Sequence, residues 1–160
     1  MTPQKEDLAE LLAQEEELTF DSFSNEMALS LGLLMVEAAA KQKLPAAVDI
    51  TRSGQQLFFA AMPGTSPDNA HWIRRKITLV NRYQHSSFYI GCLHRSKGTD
   101  FYTATGLPQV EYAPHGGCFP IRIRNTGIIG TVTVSGLPQA EDHAFAVECL
   151  RAFRAQGKAG

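Results

Sequence analysis

The segment Phe119-Pro120-Ile121-Arg122-Ile123-Arg124-Asn125-Thr126-Gly127, continued by Ile128-Ile129-Gly130-Thr131-Val132-Thr133-Val134, holds two runs of period-two hydropathy about a polar turn. In the first run Phe119, Ile121 and Ile123 alternate with Pro120, Arg122 and Arg124, which predicts one buried and one wet face. Asn125, Thr126 and Gly127 have turn chemistry. The return run sets Ile128, Val132 and Val134 on one face and Thr131 and Thr133 on the other, in a β-branched context that favours a strand. The pattern predicts a β-hairpin. A second hairpin is predicted upstream, where Ala46 to Thr51 and Gln55 to Ala61 flank Arg52, Ser53 and Gly54. Strands joined so tightly run antiparallel, which argues against a doubly wound parallel sheet.

Helical periodicity fills the rest. Leu8, Leu11 and Leu12 predict a short peripheral helix within residues 1–20, ending in a solvated acidic patch at Glu15, Glu16 and Glu17. Asp21 or Ser22 is placed to cap a second helix with Met27, Leu31, Leu34 and Ala38 inward, ending near Lys43. Ser66, Pro67 and Asp68 supply a cap, a first-turn proline and a first-turn acid for a third. Its stripe is Ala70, Ile73, Ile77 and Val80, widened by Trp72, Leu79 and Tyr83. A short helix follows from Phe88 to about Arg95; Gly98 to Pro114 has no assignable pattern. Gly136 and Pro138 lead into a last helix packed through Val147, Leu150 and Phe153. The fold class is therefore α/β of the α+β kind: an antiparallel sheet built from two β-hairpins, flanked by helices.

Length and composition bound the function. With 160 residues, 44% hydrophobic and 19% charged, the chain reads as one domain spanning 1–160 with a core of its own. Fifteen basic against sixteen acidic side chains leave a net charge of -1, which argues against nucleic acid and acidic membranes as partners. The apolar run Leu29 to Ala40 is too short to span a bilayer and, interrupted by Glu37, is no signal peptide, so the expected location is cytoplasmic. Cys92, Cys118 and Cys149, odd in number and widely spaced, suit reduced thiols there.

The segment Gly116 to Asp142 carries Gly116-Gly117, Phe119-Pro120-Ile121, Gly127, Gly130, Val132-Thr133-Val134-Ser135-Gly136 and then Asp142. It resembles the haem-degrading-domain superfamily (GlcG/HbpS-like). Pro45-Ala46-Ala47-Val48-Asp49 with Gly54 is similar to that group's first hairpin, and Lys76 falls where its members carry a helix lysine. The stretches Pro63-Gly64-Thr65-Ser66-Pro67-Asp68-Asn69, His71-Trp72-Ile73-Arg74-Arg75-Lys76 and Ala113-Pro114-His115-Gly116-Gly117 look like one narrower, uncharacterised protein family within it. The resemblance implies a profilin-like domain, a homo-oligomer, and haem binding or oxidative haem degradation as a function to test; Phe88 to Pro114 departs from the GlcG pattern.

Two clusters are candidates for a ligand site. On the third helix His71 and Arg75 lie one turn apart beside Arg74 and Lys76, and arginine forks suit a carboxylate or phosphate. The competing account is a solvated basic face, paired with Glu15 to Glu17 or across a subunit interface. His115 before Gly116 and Gly117 pairs a residue that titrates near neutrality with backbone a ligand can approach; the same glycines would equally serve a bulge. These residues together predict a small anionic ligand. A second class of function, a protein assembly or adaptor module, rests on the lack of a complete catalytic constellation and on Trp72 and Tyr83 as interface aromatics. His71, His85, His94 and His115 are available as haem ligands, without an attachment motif. His85-Ser86-Ser87 lacks a nucleophile elbow, and no metal-ligating spacing occurs, so no metal site is expected.

Overall fold

The computed structural model describes residues 5–157. The chain runs α1 (Lys5–Glu17), α2 (Asn25–Gln42), β1 (Ala47–Arg52), β2 (Gln55–Ala61), α3 (Pro67–Tyr83), α4 (Ser87–Ser96), α5 (Phe101–Thr105), β3 (Cys118–Ile123), β4 (Gly127–Ser135) and α6 (Gln139–Ala155). The strands form one antiparallel sheet in the order β2-β1-β4-β3. Both predicted hairpins are present, and they join through β1 and β4, with Ala47 opposite Ser135 and Arg52 opposite Gly130.

One face of the sheet buries Val48, Ile50, Phe119, Ile121, Val132 and Val134 beneath α2 and α6, which contribute Leu31, Met35, Phe145, Leu150 and Phe153. The other face is not wet, as alternation had suggested. Helix α3 lies across it, and Pro120, Thr131 and Thr133 are buried. Polar side chains tolerate that cover where they satisfy one another. Asp49 accepts from Thr51 Oγ1 and Gln56 Nε2, both at 2.7 Å, and Thr133 Oγ1 donates to Cys118 Sγ at 3.2 Å.

The charges expected at the surface are largely spent on one another. Glu15 is buried, not solvated: its carboxylate accepts from Arg122 Nη2 at 3.2 Å and from the Ser86 N–H at 3.1 Å, and lies 3.0 Å from His85 Nδ1. Glu17 is clasped by Arg151 through two contacts of 2.8 Å. Asp21 is drawn to Arg124 at 2.8 Å, so the cap of α2 falls to Ser24, whose hydroxyl accepts from the Met27 N–H at 3.1 Å. The unassigned stretch holds α5, capped by Asp100, with Phe101 buried against the rings of Tyr83 and His94. Tyr83 is thus occupied within the fold rather than displayed. The part of the N-terminal helix reading that falls on residues 1–4 lies outside the described residues. Among those described, no helix is long and apolar enough to cross a membrane.

Candidate functional site

Helix α3 starts at Ser66, whose backbone N–H donates to Asn69 Oδ1 at 2.9 Å, and Pro67 takes the first turn where no N–H is needed. Its inward stripe is Ile73, Lys76, Leu79 and Val80. Lys76 sits three residues after Ile73 and four before Val80, so helical geometry carries an ammonium into the interior. Burial of a charge demands a partner. Lys76 Nζ donates to the Val134 carbonyl at 3.0 Å and lies 3.3 Å from Asp142 Oδ2, and both side chains are 3% exposed.

Asp142 reaches this pair from the first turn of α6, where its other oxygen accepts the Leu137 N–H at 3.0 Å. Its role is therefore double: it caps the approach to α6 and neutralises Lys76. Burial outweighs the partner in both groups. It draws the Lys76 ammonium below the ordinary lysine range, against the pull of Asp142, and pushes the Asp142 carboxyl up to about 6, against Lys76 and the Leu137 N–H.

A cavity of about 290 Å³ opens over this pair, walled by Asn69, Trp72, His115, Ser135, Gly136, Leu137 and Gln139. Asn69 Nδ2 donates to Ser135 Oγ at 3.2 Å. The Trp72 ring meets the His115 ring edge-on, with centroids 5.3 Å apart, and carries the Arg75 guanidinium over its face at 4.4 Å. His115 is half-buried, and its Nδ1 is buried with no hydrogen-bond partner. Burial first, then Lys76, Arg75 and Arg95, hold its imidazole below the ordinary histidine range, so the ring is neutral.

The sequence-predicted residues divide over two faces of α3. Lys76 and His115 share the cavity. His71, Arg74 and Arg75 line a separate cavity of about 310 Å³ with Thr78, Val110 and Glu111. There Arg74 Nη1 lies 2.9 Å from His71 Nδ1. Arg75 is committed to the loop after α5: it donates to the carbonyls of Gln109 at 3.0 Å and Tyr112 at 3.3 Å, and to Tyr102 Oη at 3.4 Å. Neither Glu15 nor Glu17 is a partner of this basic face. Gly116 and Gly117 are not among the residues that line the cavity. The Gly116 N–H donates to Gln139 Oε1 at 3.0 Å. Gly117 has φ +137°, and a Cβ there would press into the Val134 carbonyl and stand 2.7 Å from Lys76 Nζ. Gly117 thus lets the backbone lie against the buried ion pair, while Gly116 lets it lie against the Gln139 carbonyl at the start of α6.

Asn69, Trp72, Ser135 and Asp142 are the site residues that sequence reasoning did not select. A signal for Asp142 existed: a lysine on an apolar helical stripe requires a buried carboxylate. Ser135 carried none, because its place opposite Ala47 depends on the pairing of the two hairpins.

Comparison with known proteins places these features in context. Residues 23–151 match a family model described as haem degrading protein HbpS-like. A UPF0303 protein of Streptomyces avermitilis is 51% identical over 146 residues, covering 91% of this chain and 90% of that protein. The crystal structure of the Ybr137w protein superposes with a TM-score of 0.87 at 34% identity, over 96% of this chain and 91% of the other. That of a PduOC:heme complex matches with a TM-score of 0.68 at 19% identity, over 82% and 94%, a likeness of fold.

Proposed function

Because the chain belongs to the HbpS-like haem-degrading family, we propose that it is a small-molecule-binding domain whose site is the cavity between α3 and the start of α6, and that its ligand is a small anion. The observation that carries this reading is the donor set around His115. An N–H at a buried position without an acceptor costs more than a lone pair there, so the single proton of the neutral ring belongs on Nε2. That leaves Nε2 as the ring's donor toward the cavity. Lys76 has two of its three ammonium hydrogens engaged, and Asn69 has one amide hydrogen left after its bond to Ser135. Both Asp142 oxygens are already taken, by Leu137 and Lys76. The cavity thus offers donors and little free acceptor capacity, which suits a carboxylate or phosphate oxygen. Arg74 on the adjoining face adds positive potential.

Haem is the group the family relationship brings to this chain. The cavity does not fit it: about 290 Å³ walled by Asn69, Lys76, Ser135, Gln139 and Asp142 gives a flat apolar macrocycle neither room nor two apolar faces. We read the whole chain as one such domain, working in the cytoplasm, where three free buried cysteines would stay reduced.

Trp72 is the chain's single tryptophan and lines the cavity, so its emission reports occupancy directly. Titration with malonate and with inorganic phosphate should give a saturable change for at least one. His115→Ala should weaken that binding about tenfold, the loss of one good hydrogen bond to a charged group. No response to either anion, or equal affinity in the variant, would remove the assignment.

A second reading, assembly with further copies, is favoured by one observation. Leu29 and Leu33, one turn apart on α2, are 53% and 56% exposed, and Phe59 on the edge strand β2 is 41% exposed.

A further inference from the structure

A second concavity of about 460 Å³ lies between α1, α4 and the first turn of α6, apart from the cavity over Lys76. Its wall is apolar where the other is polar: Leu11, Phe88, Cys92 and Ala140 line it. His143 closes the floor as a neutral ring. Its Nε2 lies 2.7 Å from Gln14 Oε1, and burial pushes its pKa down to about 4. One cation stands at this wall. The Arg95 guanidinium is half-buried, lies 6.0 Å from the centre of the Phe88 ring, and donates to Cys92 Sγ at 3.3 Å. A guanidinium has five N–H donors in a planar fork, and a thiol is a weak acceptor for any of them. No carboxylate among the described residues pairs with Arg95. Glu10 lines the α1 side, where its charge acts against a second anionic group on any occupant.

We propose that this concavity is a separate binding site for a compact monocarboxylate with an aromatic or branched apolar body, its carboxylate on Arg95 and its body against Leu11, Phe88 and Ala140. The volume lies in the range of small-molecule pockets, and the apolar wall with one convergent cation is the usual architecture of such a site. The two sites differ in lining: Lys76, Trp72 and His115 do not line this wall, and Gln139 is the residue common to both.

The test is calorimetric titration of the full chain with 3-phenylpropionate, phenethylamine and malonate, with Trp72 emission followed in parallel. Binding of 3-phenylpropionate without a change in Trp72 emission is expected, with affinity reduced at least tenfold in Arg95→Gln. Ala140→Phe, which fills the space from an exposed position on α6 and leaves Arg95 in place, should reduce it comparably and guards against a fold defect in the first variant. Tighter binding of phenethylamine than of 3-phenylpropionate would overturn the proposal. So would 3-phenylpropionate binding that survives both variants, or that moves Trp72 emission and so reports the cavity over Lys76.

Discussion

Lys76 and Asp142 meet across 66 residues of sequence at 3.3 Å, with almost no access to water. Such a pair returns little net stability over a well-packed apolar pair, because desolvation consumes most of the attraction. Removing one partner is a different matter, since the other charge is left buried alone. Lys76→Met should therefore cost about 3 kcal/mol or more in urea unfolding, while the double variant Lys76→Met/Asp142→Leu should recover much of that loss. Equal destabilisation by the single and double variants would show that the pair does not act as a unit. His115 illustrates the same rule for a neutral group. Its Nδ1 is buried without a partner, which favours placing the ring's single proton on Nε2, as the proposed site requires.

At the scale of elements, α2 shows how one helix serves two surfaces. Ala28, Leu31, Met35 and Ala39 pack on the sheet, and Gly32 lets the Phe58 ring lie flat against the helix backbone. Leu29 and Leu33 point the other way. If that face seats another copy, Leu33→Glu should shift the species seen by sedimentation velocity toward the single chain and leave the helical circular dichroism unchanged; an unchanged distribution removes α2 from any interface. Both hairpins and the main helices were legible from period alone, because burial imposes a period of two on strands and near 3.6 on helices. What misled was the second face of the sheet. Thr131 and Thr133 look like residues for water, yet α3 covers them; the Thr133 hydroxyl is satisfied by Cys118 Sγ, whereas the Thr131 hydroxyl is buried without a partner. Helix α5 escaped notice because five residues hold too few turns to show a period. Lys76 and His115 were legible as candidates, one through a family resemblance and one through its glycines; that Trp72, Ser135 and Asp142 join them depends on the order β2-β1-β4-β3, which no local pattern encodes.

For the molecule as a whole, two buried groups near the start of α6 set opposing slopes of stability with pH. His143 has its pKa pushed down by burial from 6.5 to about 4, so the unfolded chain takes up the proton first as pH falls. Its contribution is complete above 6.5 and is lost on acidification toward 4, by about 3 kcal/mol. Asp142 works in reverse. Its folded value near 6 stands above the ordinary 3.8, so the folded chain takes up the proton first and gains stability as pH falls from 6 toward 3.8. The wild-type chain should therefore change stability only weakly between pH 6 and pH 4.5. His143→Gln should become more stable over that interval, and Asp142→Asn should lose stability more steeply than wild type. Denaturant unfolding at the two pH values decides it, and parallel behaviour of all three chains would refute the opposing-slope account.

The near-zero net charge of the chain conceals local order: Lys76, Arg122, Arg124 and Arg151 are each paired with a carboxylate, and the proposed anion site is the cavity beside Lys76. On the proposed reading His115 presents an Nε2–H to an anion there. Nitrogen-15 NMR of the histidine side chains at pH 7.5, before and after addition of malonate or inorganic phosphate, reads this directly. The account predicts a neutral His115 ring with its proton on Nε2 and a nitrogen resonance that moves saturably with at least one of the anions; a proton on Nδ1, or an Nε2 resonance unmoved by both, would contradict it.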